Sequence, residues 1–418
     1  MKILQINSVC GVGSTGRIAA DLHAFLTENG EESRVAFGRS ETHVSCGTHR
    51  CDAVMRIGNL WDNYRHVAKT RLLDRHGFGS RGATRRFLRE VEAFAPDLIH
   101  LHNIHGYYLH IGELFGWLKR AGKPVVWTLH DCWPFTGHCA YYDYAGCFRW
   151  ESGCRRCPQK NAYPASRLMD ASSRNYADKR RLFTGLDRLT LVTPSAWLAG
   201  EVGRSFLKDY PVRVIPNGID LTAFRPAEEN DSVRQRFGID REACLLLGVA
   251  GVWEARKGLP YFQQLLDRLG EGYRLMLVGV NEKQKAALSP GVIGIGRTDS
   301  VGELASLYGA ADMLVNPTLE DNFPTVNLEA LACGTPVVTF RTGGSMESVD
   351  DATGRIADKG DPEGLAAAVR DVRMRGKPAF SAACRERAER LYDQRESYEQ
   401  YYRLYRELCG RTGGSTEE

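Results

Sequence analysis

Two carboxylates, Asp321 and Glu329, have the spacing that most strongly suggests chemistry, because they flank the start of a predicted helix. The segment Asp312–Thr339 reads as strand, polar loop, helix and strand, with the helix beginning near Phe323. In an open parallel sheet, ligands bind beyond the carboxyl ends of the strands. A helix N-terminus there favours a phosphate, and a carboxylate accepts hydrogen bonds from ribose hydroxyls. The segment therefore predicts a nucleotide site.

This segment resembles the acidic signature of the retaining glycosyltransferases of family 4, in which two acids are separated by seven residues. The run Glu329–Val338 is similar to the pattern that follows the second acid in that family. The first acid here is Asp321 rather than Glu, and Pro324 replaces a glycine. Because proline has no N–H, we expect a phosphate contact at this turn to come from Thr325 or Val326. An ordinary strand–helix unit with solvated acids is the alternative.

A basic turn, Arg256-Lys257-Gly258, follows the predicted strand Cys244–Val249. Family 4 enzymes bind the donor diphosphate here with an Arg and a Lys, and the resemblance implies this role for Lys257. The Arg position is Val252 in this chain, so in our interpretation Arg256 supplies the second charge. A diphosphate leaving group requires cations because negative charge develops on it as the glycosidic bond breaks. A solvated basic turn is the alternative.

The same resemblance implies roles for the remaining donor-site residues. Glu329 would hold the ribose hydroxyls, and Asp321 would position the donor sugar together with His130. The segment Gly294–Thr298 would lie under the nucleotide base, where Arg297 would stack. We therefore expect His130, Asp321 and Lys257 to act in catalysis and the others to bind the donor.

The N-terminal half contains two features that suit the same reaction. Gly11–Arg17 follows the first predicted strand and opens a helix, so its glycines let the backbone approach a ligand. Its spacing is not that of a dinucleotide fingerprint, but it resembles the family loop that lies against the donor diphosphate, and Gly16 is the residue that we assign. His130 ends a later strand within Thr128–Asp131, and the resemblance places it over the donor sugar. A simple turn and a structural histidine are the alternatives.

Several of the twelve cysteines are concentrated in one segment. A Cys-x-x-Cys pair preceded by two further cysteines is typical of tetrahedral zinc. The predicted ligands are Cys139, Cys147, Cys154 and Cys157, with Cys132 or His138 as substitutes. The zinc would be structural and would pin an insert at residues 130–160, whereas catalysis is expected to need no cofactor. Buried, reduced cysteines are the alternative.

The length of 418 residues predicts two domains. Hydrophobic residues at 43% and charged residues at 25% are typical of a soluble globular protein. No apolar run reaches the roughly 18 residues of a membrane helix, and the first residues read as a strand rather than a signal peptide. We therefore expect a cytoplasmic protein with reduced cysteines.

The net charge of +4 is unevenly distributed, because residues 56–89 are rich in Lys and Arg, with Trp61, Tyr64 and Phe78 among them. Two interpretations stay open. The region is either a pair of solvated helices or a surface for anionic lipid or a lipid-diphosphate acceptor at the inner face of the membrane. No nucleic-acid-binding motif accompanies it, so nucleic acid is not an expected partner.

Predicted strands alternate with helices in both halves, which indicates parallel sheets with helices on both faces. These strands are Lys2–Asn7, Arg34–Phe37, Asp97–Leu101, Pro124–Leu129, Leu189–Thr193, Cys244–Val249, Tyr273–Val278, Val292–Ile295, Asp312–Val315 and Pro336–Phe340. We place an acceptor-binding domain at residues 1–218, a nucleotide-sugar-binding domain at 219–390 and a C-terminal helix at 391–412. We expect Gly413–Glu418 to be disordered.

The resemblance implies an α/β protein of the GT-B fold. In that fold two doubly wound Rossmann-like domains face a cleft, and the C-terminal helix crosses back to the first domain.

The resemblance also implies the reaction: a sugar would move with retention from a UDP- or GDP-sugar to a lipid-linked or oligosaccharide acceptor. The cysteine-rich insert resembles a subgroup associated with capsular and exopolysaccharide (colanic-acid-type) synthesis in bacteria. No Asp-x-Asp motif is present, so catalysis should not need a divalent ion. A degenerate, zinc-stabilised scaffold, suggested by Val252, Asp321 and Pro324, is the first alternative. A sugar-nucleotide epimerase or a phosphorylase on the same fold is the second.

Overall fold

The computed structural model describes residues 1–39, 53–226 and 231–410, together with the backbone at 45–46 and 49–50. The chain divides into two compact units. The first comprises Met1–Ile215 and the chain from Tyr398 onward, and the second is Pro216–Ser397. The expected disorder of Gly413–Glu418 lies outside the described residues.

The first unit is built on a parallel sheet. Its strands are β1 (Lys2–Ile6), β2 (Glu32–Phe37), β3 (Ser45–Cys46), β4 (His49–Arg50), β5 (Val54–Arg56), β6 (Leu98–Leu101), β7 (Val125–Thr128), β8 (Leu189–Thr193) and β9 (Val212–Val214). Within the described ranges, seven of them pair in the order β5-β2-β1-β6-β7-β8-β9, while β3 and β4 form a separate antiparallel pair.

Helices cover this sheet, and its central strands are buried on both faces, as parallel sheets require. The helices are α1 (Gly13–Glu28), α2 (Leu60–Leu73), α3 (Arg81–Phe94), α4 (Ile111–Ala121), α5 (Ser172–Phe183) and α6 (Ala196–Arg204). Between β7 and α5 the chain forms a long irregular segment with 3-10 turns at Trp133–Phe135 and Arg149–Glu151. This segment contains the cysteine-rich insert.

The second unit repeats the parallel architecture. Its strands are β10 (Cys244–Val249), β11 (Tyr273–Val278), β12 (Ile293–Ile295), β13 (Met313–Asn316), β14 (Val337–Phe340) and β15 (Gly354–Ala357). In the described part of the chain, they pair in the order β12-β11-β10-β13-β14-β15. Strands β10 and β13 are neighbours although the paired residues Leu246 and Met313 are 67 positions apart in the sequence, so the loops that follow these strands meet at one edge of the sheet.

The helices of the second half complete the chain. They are α7 (Asp231–Arg236), α8 (Leu259–Leu269), α9 (Glu282–Ala286), α10 (Val301–Ala310), α11 (Thr325–Ala332), α12 (Pro362–Arg375), α13 (Pro378–Leu391) and α14 (Gln394–Leu408). Within the part of the chain that the structure describes, no helix is long and apolar enough to cross a bilayer.

The last helix packs on the first unit, as the resemblance implied. Tyr398, Tyr401 and Tyr405 of α14 are buried in an apolar cluster that includes Phe25 of α1. The Tyr401 hydroxyl lies 3.0 Å from Oγ1 of Thr128, at the end of β7. Helix α14 therefore supports the strand that leads to His130.

Helix α11 begins at Thr325 rather than near Phe323, where the sequence predicted its start. Pro324 takes an extended conformation, with φ −71° and ψ 117°. The ring of a proline disfavours helical geometry at the preceding residue, so Phe323 stays in the loop. Its ring instead makes an edge contact with Tyr392, with centroids 5.8 Å apart.

Candidate active site

The basic turn after β10 is fastened to the loop after β13. Gly258 has φ +76°, and a Cβ atom there would lie 1.9 Å from the carbonyl oxygen of Pro317. The backbone N–H of Leu319 donates to the carbonyl oxygen of Arg256 at 2.7 Å. Only glycine fits this close approach with a positive φ, so Gly258 sets where Lys257 emerges.

Two cations at this turn interact with the acidic loop. The Lys257 ammonium forms an ion pair with the Asp321 carboxylate. Arg256 donates from Nη1 to the carbonyl oxygen of Glu320 at 3.0 Å and from Nε to Glu254 at 3.1 Å. The arrangement places positive charge at the carboxyl ends of β10 and β13, where a doubly wound sheet binds its ligand.

A glycine turn after β14 supports Asp321 from its other side. The backbone N–H of Gly344 donates to the carbonyl oxygen of Asp321 at 3.1 Å. Gly343 has φ +49°, and a Cβ atom there would lie 1.9 Å from the same oxygen. The position of Asp321 therefore depends on the absence of a side chain at residue 343.

Glu329 lies on the second turn of α11 and is 5% exposed. The hydroxyl of the fully buried Tyr308, in α10, donates to Oε2 of Glu329 at 2.7 Å. Burial and the neighbouring carboxylate raise the pKa of Tyr308, so this hydroxyl stays protonated and keeps its role as donor. Tyr308 was not anticipated, because a tyrosine within an apolar helix carries no motif.

The first turn of α11 carries Thr325 and Val326, which are both half-buried. The next residue, Asn327, is fully buried and accepts from Asn316 Nδ2 at 2.8 Å. Its own amide donates to Oγ of Ser348 at 2.9 Å. This network orients the N-terminus of α11 relative to β13, and the backbone N–H groups of a helix N-terminus suit an anion.

Arg297 and Val252, two positions of the second unit that the family resemblance singled out, take no part in the ion pair between Lys257 and Asp321. Arg297 is exposed just after β12, the edge strand that β11 separates from β10. Val252, which stands where the family has an Arg, is 65% exposed on the loop after β10. The cationic part of the site is therefore Lys257 with Arg256.

In the first unit, the glycine loop after β1 closes on the first turns of α1. Gly11 N–H donates to the carbonyl oxygen of Gly16 at 2.8 Å. A Cβ atom on Gly16 would lie 2.9 Å from Cγ2 of Val9. Asn7, at the end of β1, donates to the carbonyl oxygen of Val9 at 2.9 Å. Gly16 thus shapes the loop through its own close packing.

His130 follows β7 and is half-buried. Its Nε2 lies 3.1 Å from Nδ1 of His102, and the two rings are stacked with centroids 5.4 Å apart. His102 in turn contacts Oε1 of Gln5 at 3.1 Å. Burial lowers the pKa of His130 to about 4, against the opposing effect of Asp131. The imidazole of His130 is therefore neutral near pH 7 and can form hydrogen bonds without carrying charge.

A second polar chain beside His130 was not predicted. Asp131 Oδ2 lies 2.8 Å from Nε2 of His105, and Nδ1 of His105 lies 3.1 Å from the hydroxyl of Tyr163. Burial raises the pKa of Asp131, but the interactions with His105 and with the N–H of Trp133 outweigh burial, so the pKa is lowered overall. Through these contacts, Asp131 holds the segment that follows β7 in place.

The four predicted zinc ligands Cys139, Cys147, Cys154 and Cys157 line one pocket. Among the described residues, no three side chains of His, Cys, Asp or Glu lie close enough together, in their present conformations, to hold a metal ion. Cys132 is fully buried and does not line this pocket, whereas His138 does.

Comparison with known proteins assigns the chain to a family. The family model described as "Glycosyltransferase Family 4" matches residues 16–223, and the one described as "Glycosyl transferases group 1" matches residues 243–373. A D-inositol 3-phosphate glycosyltransferase of Saccharomonospora viridis is 30% identical over 340 residues, which cover 75% of this chain and 72% of that protein. The chain belongs to glycosyltransferase family 4.

This family 4 glycosyltransferase resembles another bacterial protein over nearly its whole length. A putative colanic acid biosynthesis glycosyl transferase of Escherichia coli is 25% identical over 424 residues, covering 98% of the chain and 100% of that relative. The match confirms the predicted resemblance to the colanic-acid-type subgroup.

Solved structures confirm the fold of this glycosyltransferase. The sucrose-phosphate synthase of Thermosynechococcus elongatus superposes with a TM-score of 0.72 at 19% identity, covering 98% of this chain and 100% of that one. Anabaena HepE in complex with UDP-glucose superposes with a TM-score of 0.64 at 16% identity, covering 97% and 99%. At such identities the likeness concerns the fold alone, which is GT-B.

Proposed function

We propose that this glycosyltransferase moves a sugar with retention from a UDP- or GDP-sugar to a lipid-linked or oligosaccharide acceptor during assembly of bacterial surface polysaccharide. The observation that carries the proposal is the ion pair between Lys257 and Asp321 beside the N-terminus of α11. It combines a cation for a diphosphate with a carboxylate for a sugar hydroxyl. The similarity to the Escherichia coli colanic acid relative supports the acceptor class, and the UDP-glucose complex of HepE supports the donor class.

Each donor-site residue takes a role that its surroundings allow. Lys257 and Arg256 stabilise the leaving diphosphate, while the N–H groups of Thr325 and Val326 contact its oxygens. Glu329, oriented by the hydroxyl of Tyr308 at 2.7 Å, accepts from the ribose hydroxyls.

The remaining predicted residues act on the base and the sugar. Arg297 stacks on the base. Asp321 and the neutral imidazole of His130 position the donor sugar, and Gly16 lets the backbone approach the diphosphate.

The reaction breaks the bond between the anomeric carbon and the diphosphate oxygen, and forms a bond from the same carbon to the acceptor oxygen on the same face. The acceptor hydroxyl proton passes to the departing phosphate, so the nucleoside diphosphate leaves with it. Lys257 acts at the moment when negative charge develops on the leaving oxygen, which is where a fixed cation accelerates the reaction most.

The test is a donor screen with purified full-length protein. UDP- and GDP-sugars are incubated with a lipid-linked oligosaccharide acceptor, with and without EDTA, and the release of nucleoside diphosphate is measured. We expect release from one donor, undiminished by EDTA, and a product whose anomeric configuration by NMR equals that of the donor. Inversion of configuration, or a strict requirement for magnesium, would contradict the proposal.

The scaffold interpretation rests on the departures from the family pattern at Val252, Asp321 and Pro324, and Val252 is exposed at the position of the family's Arg. It predicts that no nucleoside diphosphate is released or bound by the chain. Under that interpretation, only the Val252→Arg variant could bind a nucleoside diphosphate. Our proposal instead expects the parent protein to bind one.

We further propose that α2 contacts an anionic membrane at the cytoplasmic face. Its apolar residues Leu60, Trp61 and Tyr64 are 62%, 77% and 64% exposed, and basic side chains lie among them. Such a surface favours interfacial binding. Co-sedimentation with phosphatidylglycerol vesicles, but not with phosphatidylcholine vesicles, should be lost in a Trp61→Ser/Tyr64→Ser variant. The control Tyr144→Ser, at a residue 47% exposed elsewhere in the unit, should bind as the parent does.

A further inference from the structure

The cysteine-lined pocket of the first unit contains a histidine whose surroundings are unusual. His138 is 2% exposed and lines the pocket with the four cysteines. Its Nδ1 is hydrogen-bonded to the fully buried Asp74. Its Nε2 is buried and has no hydrogen-bond partner among the described residues. A buried polar atom without a partner is unfavourable, so this nitrogen is available to a ligand.

The contact between Asp74 and His138 is the arrangement that orients a metal-binding histidine. A carboxylate that holds one ring nitrogen fixes the tautomer and leaves the other nitrogen as the ligand. Asp74 is itself fixed, because its Oδ2 accepts from the N–H of Ala171 at 2.8 Å and its carbonyl oxygen accepts from Asn175 at 2.6 Å. The imidazole is therefore held in place before any ion arrives.

The sulfur atoms of three pocket cysteines, Cys139, Cys154 and Cys157, each take part in a hydrogen bond. The thiols of Cys139 and Cys157 are hydrogen-bonded to each other. The sulfur of Cys154 accepts from the N–H of Gly137 at 3.1 Å. Backbone N–H groups directed at sulfur stabilise a thiolate, which is the form that binds metal. Cys147, by contrast, is half-buried, and neither of these two sulfur contacts involves it.

A buried lysine beside the pocket lacks a bonded anion. Lys179 is 1% exposed, and its ammonium donates to the carbonyl oxygens of Trp133 at 2.7 Å and Thr136 at 3.0 Å. Both acceptors are carbonyl oxygens, and among the described residues Lys179 forms no ion pair with a carboxylate. Its electrostatic neighbours are the thiols of Cys154 and Cys139 and, more weakly, the carboxylates of Asp131 and Asp74. Buried charges need compensation, and a negatively charged metal–thiolate centre would provide it.

We propose that Cys139, Cys154, Cys157 and Nε2 of His138 bind one structural zinc ion, with Lys179 as the neighbouring counter-charge. The three thiols release their protons to solvent, and the neutral imidazole keeps the proton on Nδ1 directed at Asp74. One Zn²⁺ with three thiolates carries a net charge of −1, which Lys179 offsets. Three sulfurs and one imidazole in a tetrahedron are typical of structural zinc.

His138 rather than Cys147 is the fourth ligand, because Nε2 of His138 is a buried nitrogen without a partner among the described residues and Asp74 holds the other ring nitrogen, whereas Cys147 is half-buried. Binding requires the cysteine side chains to rotate about their Cα–Cβ bonds until the sulfurs lie about 2.3 Å from the ion. The ion then joins the end of α2, through Asp74, to the irregular segment between β7 and α5. Since this segment begins at His130, zinc would hold the polypeptide beside that residue.

The test measures zinc in the full-length protein purified without chelator. Elemental mass spectrometry should find about one zinc per chain in the parent and much less in the Cys157→Ser and His138→Ala variants. The Cys147→Ser variant should keep its zinc. So should Cys244→Ser, which alters a buried cysteine of the second unit as a matched control. Nucleoside diphosphate binding, which the proposal assigns to the second unit, should persist in every variant and shows that the second unit folds. Tryptophan fluorescence, which reports mainly on the first unit, checks the fold around the cysteines.

Cobalt substitution provides an independent readout on the parent alone. Co²⁺ should give the intense thiolate-to-metal charge-transfer absorption of a three-sulfur tetrahedral site, even if the Cys157→Ser variant fails to fold. A parent that contains no zinc and gives no such absorption would overturn the proposal, as would a Cys154–Cys157 disulfide in the freshly purified protein. Loss of zinc in Cys147→Ser with full retention in His138→Ala would overturn the assignment of His138.

Discussion

Lys257 and Asp321 form an ion pair across 64 positions of the sequence, and this pair joins the turn after β10 to the loop after β13. Their side chains are 22% and 12% exposed, so the pair is only partly screened by water. Without a donor, each side chain neutralises the other. With the roles proposed above, a diphosphate that approaches Lys257 would release Asp321 to a sugar hydroxyl, and this exchange would couple leaving-group binding to sugar positioning.

Replacement of Lys257 by Met should lower kcat by about 10²–10³-fold, because the cation acts on charge that develops in the transition state. KM for the donor should change less than kcat. The control is Lys283→Met, on the exposed face of α9, which should retain the parent rate. Steady-state release of nucleoside diphosphate measures both constants, and a parent-like kcat for Lys257→Met would contradict this role.

The Gly343→Ala variant should lose activity although no charged group is altered. The added Cβ would collide with the carbonyl oxygen of Asp321, and φ of +49° already strains any side chain there. The matched control is Gly238→Ala, whose φ is +63° and whose added Cβ meets nothing within 4 Å. We expect Gly343→Ala to melt at a lower temperature than Gly238→Ala, because only its added Cβ collides with a backbone atom. At a temperature where both variants are folded, we expect a large loss of rate only in Gly343→Ala. Equal rates would show that Asp321 tolerates displacement.

Acid should destabilise the first unit because His66 is buried as a neutral imidazole. Its Nε2 accepts from the N–H groups of Gly77 at 3.1 Å and Gly79 at 3.2 Å, and burial lowers its pKa from 6.5 to about 3. Between these values the unfolded chain binds more protons than the folded one, so stability falls as the pH decreases through this window. The cost is on the order of a few kcal/mol.

Urea unfolding at about pH 8 and about pH 5 measures this effect. Six of the seven tryptophans precede Ile215, so tryptophan fluorescence reports mainly on the first unit. His66→Gln keeps an acceptor without a titrating group, and its midpoint should shift less between the two pH values than that of the parent. An equal shift in both proteins would remove His66 as a cause.

The Tyr405→Phe variant should destabilise the first unit by about 1–3 kcal/mol, because it removes the partner of a buried imidazole nitrogen. The Tyr405 hydroxyl lies 2.6 Å from Nδ1 of His100, and both residues are fully buried. Tyr402→Phe is the control, since its hydroxyl donates to Glu31 at 2.8 Å from a half-buried position. Thermal unfolding should rank the two in that order, and the reverse ranking would contradict the importance of the α14 contact.

Much of the sheet architecture was predictable because buried parallel strands are continuous apolar runs. Leu189–Thr193, Cys244–Val249 and Tyr273–Val278 have in the structure the bounds that the sequence predicted. Strand β15 was not predicted, since Gly354–Ala357 begins with Gly and Arg and is short. Its place is decided by pairing with β14, which is a tertiary contact and leaves no local pattern.

The sequence named the residues of the candidate site one by one, and their roles stay predictions, but it did not predict the contacts between them. The resemblance identified Lys257 and Asp321 separately, and the strand order brings them together. Tyr308, which orients Glu329, gave no signal because its effect depends on the packing of α10 against α11. The same limit applies to Asp74 and His138, whose contact is formed only by the fold.

Thermal unfolding with UDP, GDP, ADP, CDP and dTDP, on the parent and on Glu329→Gln, tests the nucleotide site most directly. A nucleotide at about one hundred times its dissociation constant adds roughly 2.7 kcal/mol to the folded state. We predict that one of the five stabilises the parent and that Glu329→Gln loses most of this effect while keeping the unliganded melting temperature. Stabilisation of neither protein by any nucleotide, or equal stabilisation of both, would contradict the assignment of Glu329 to the donor site.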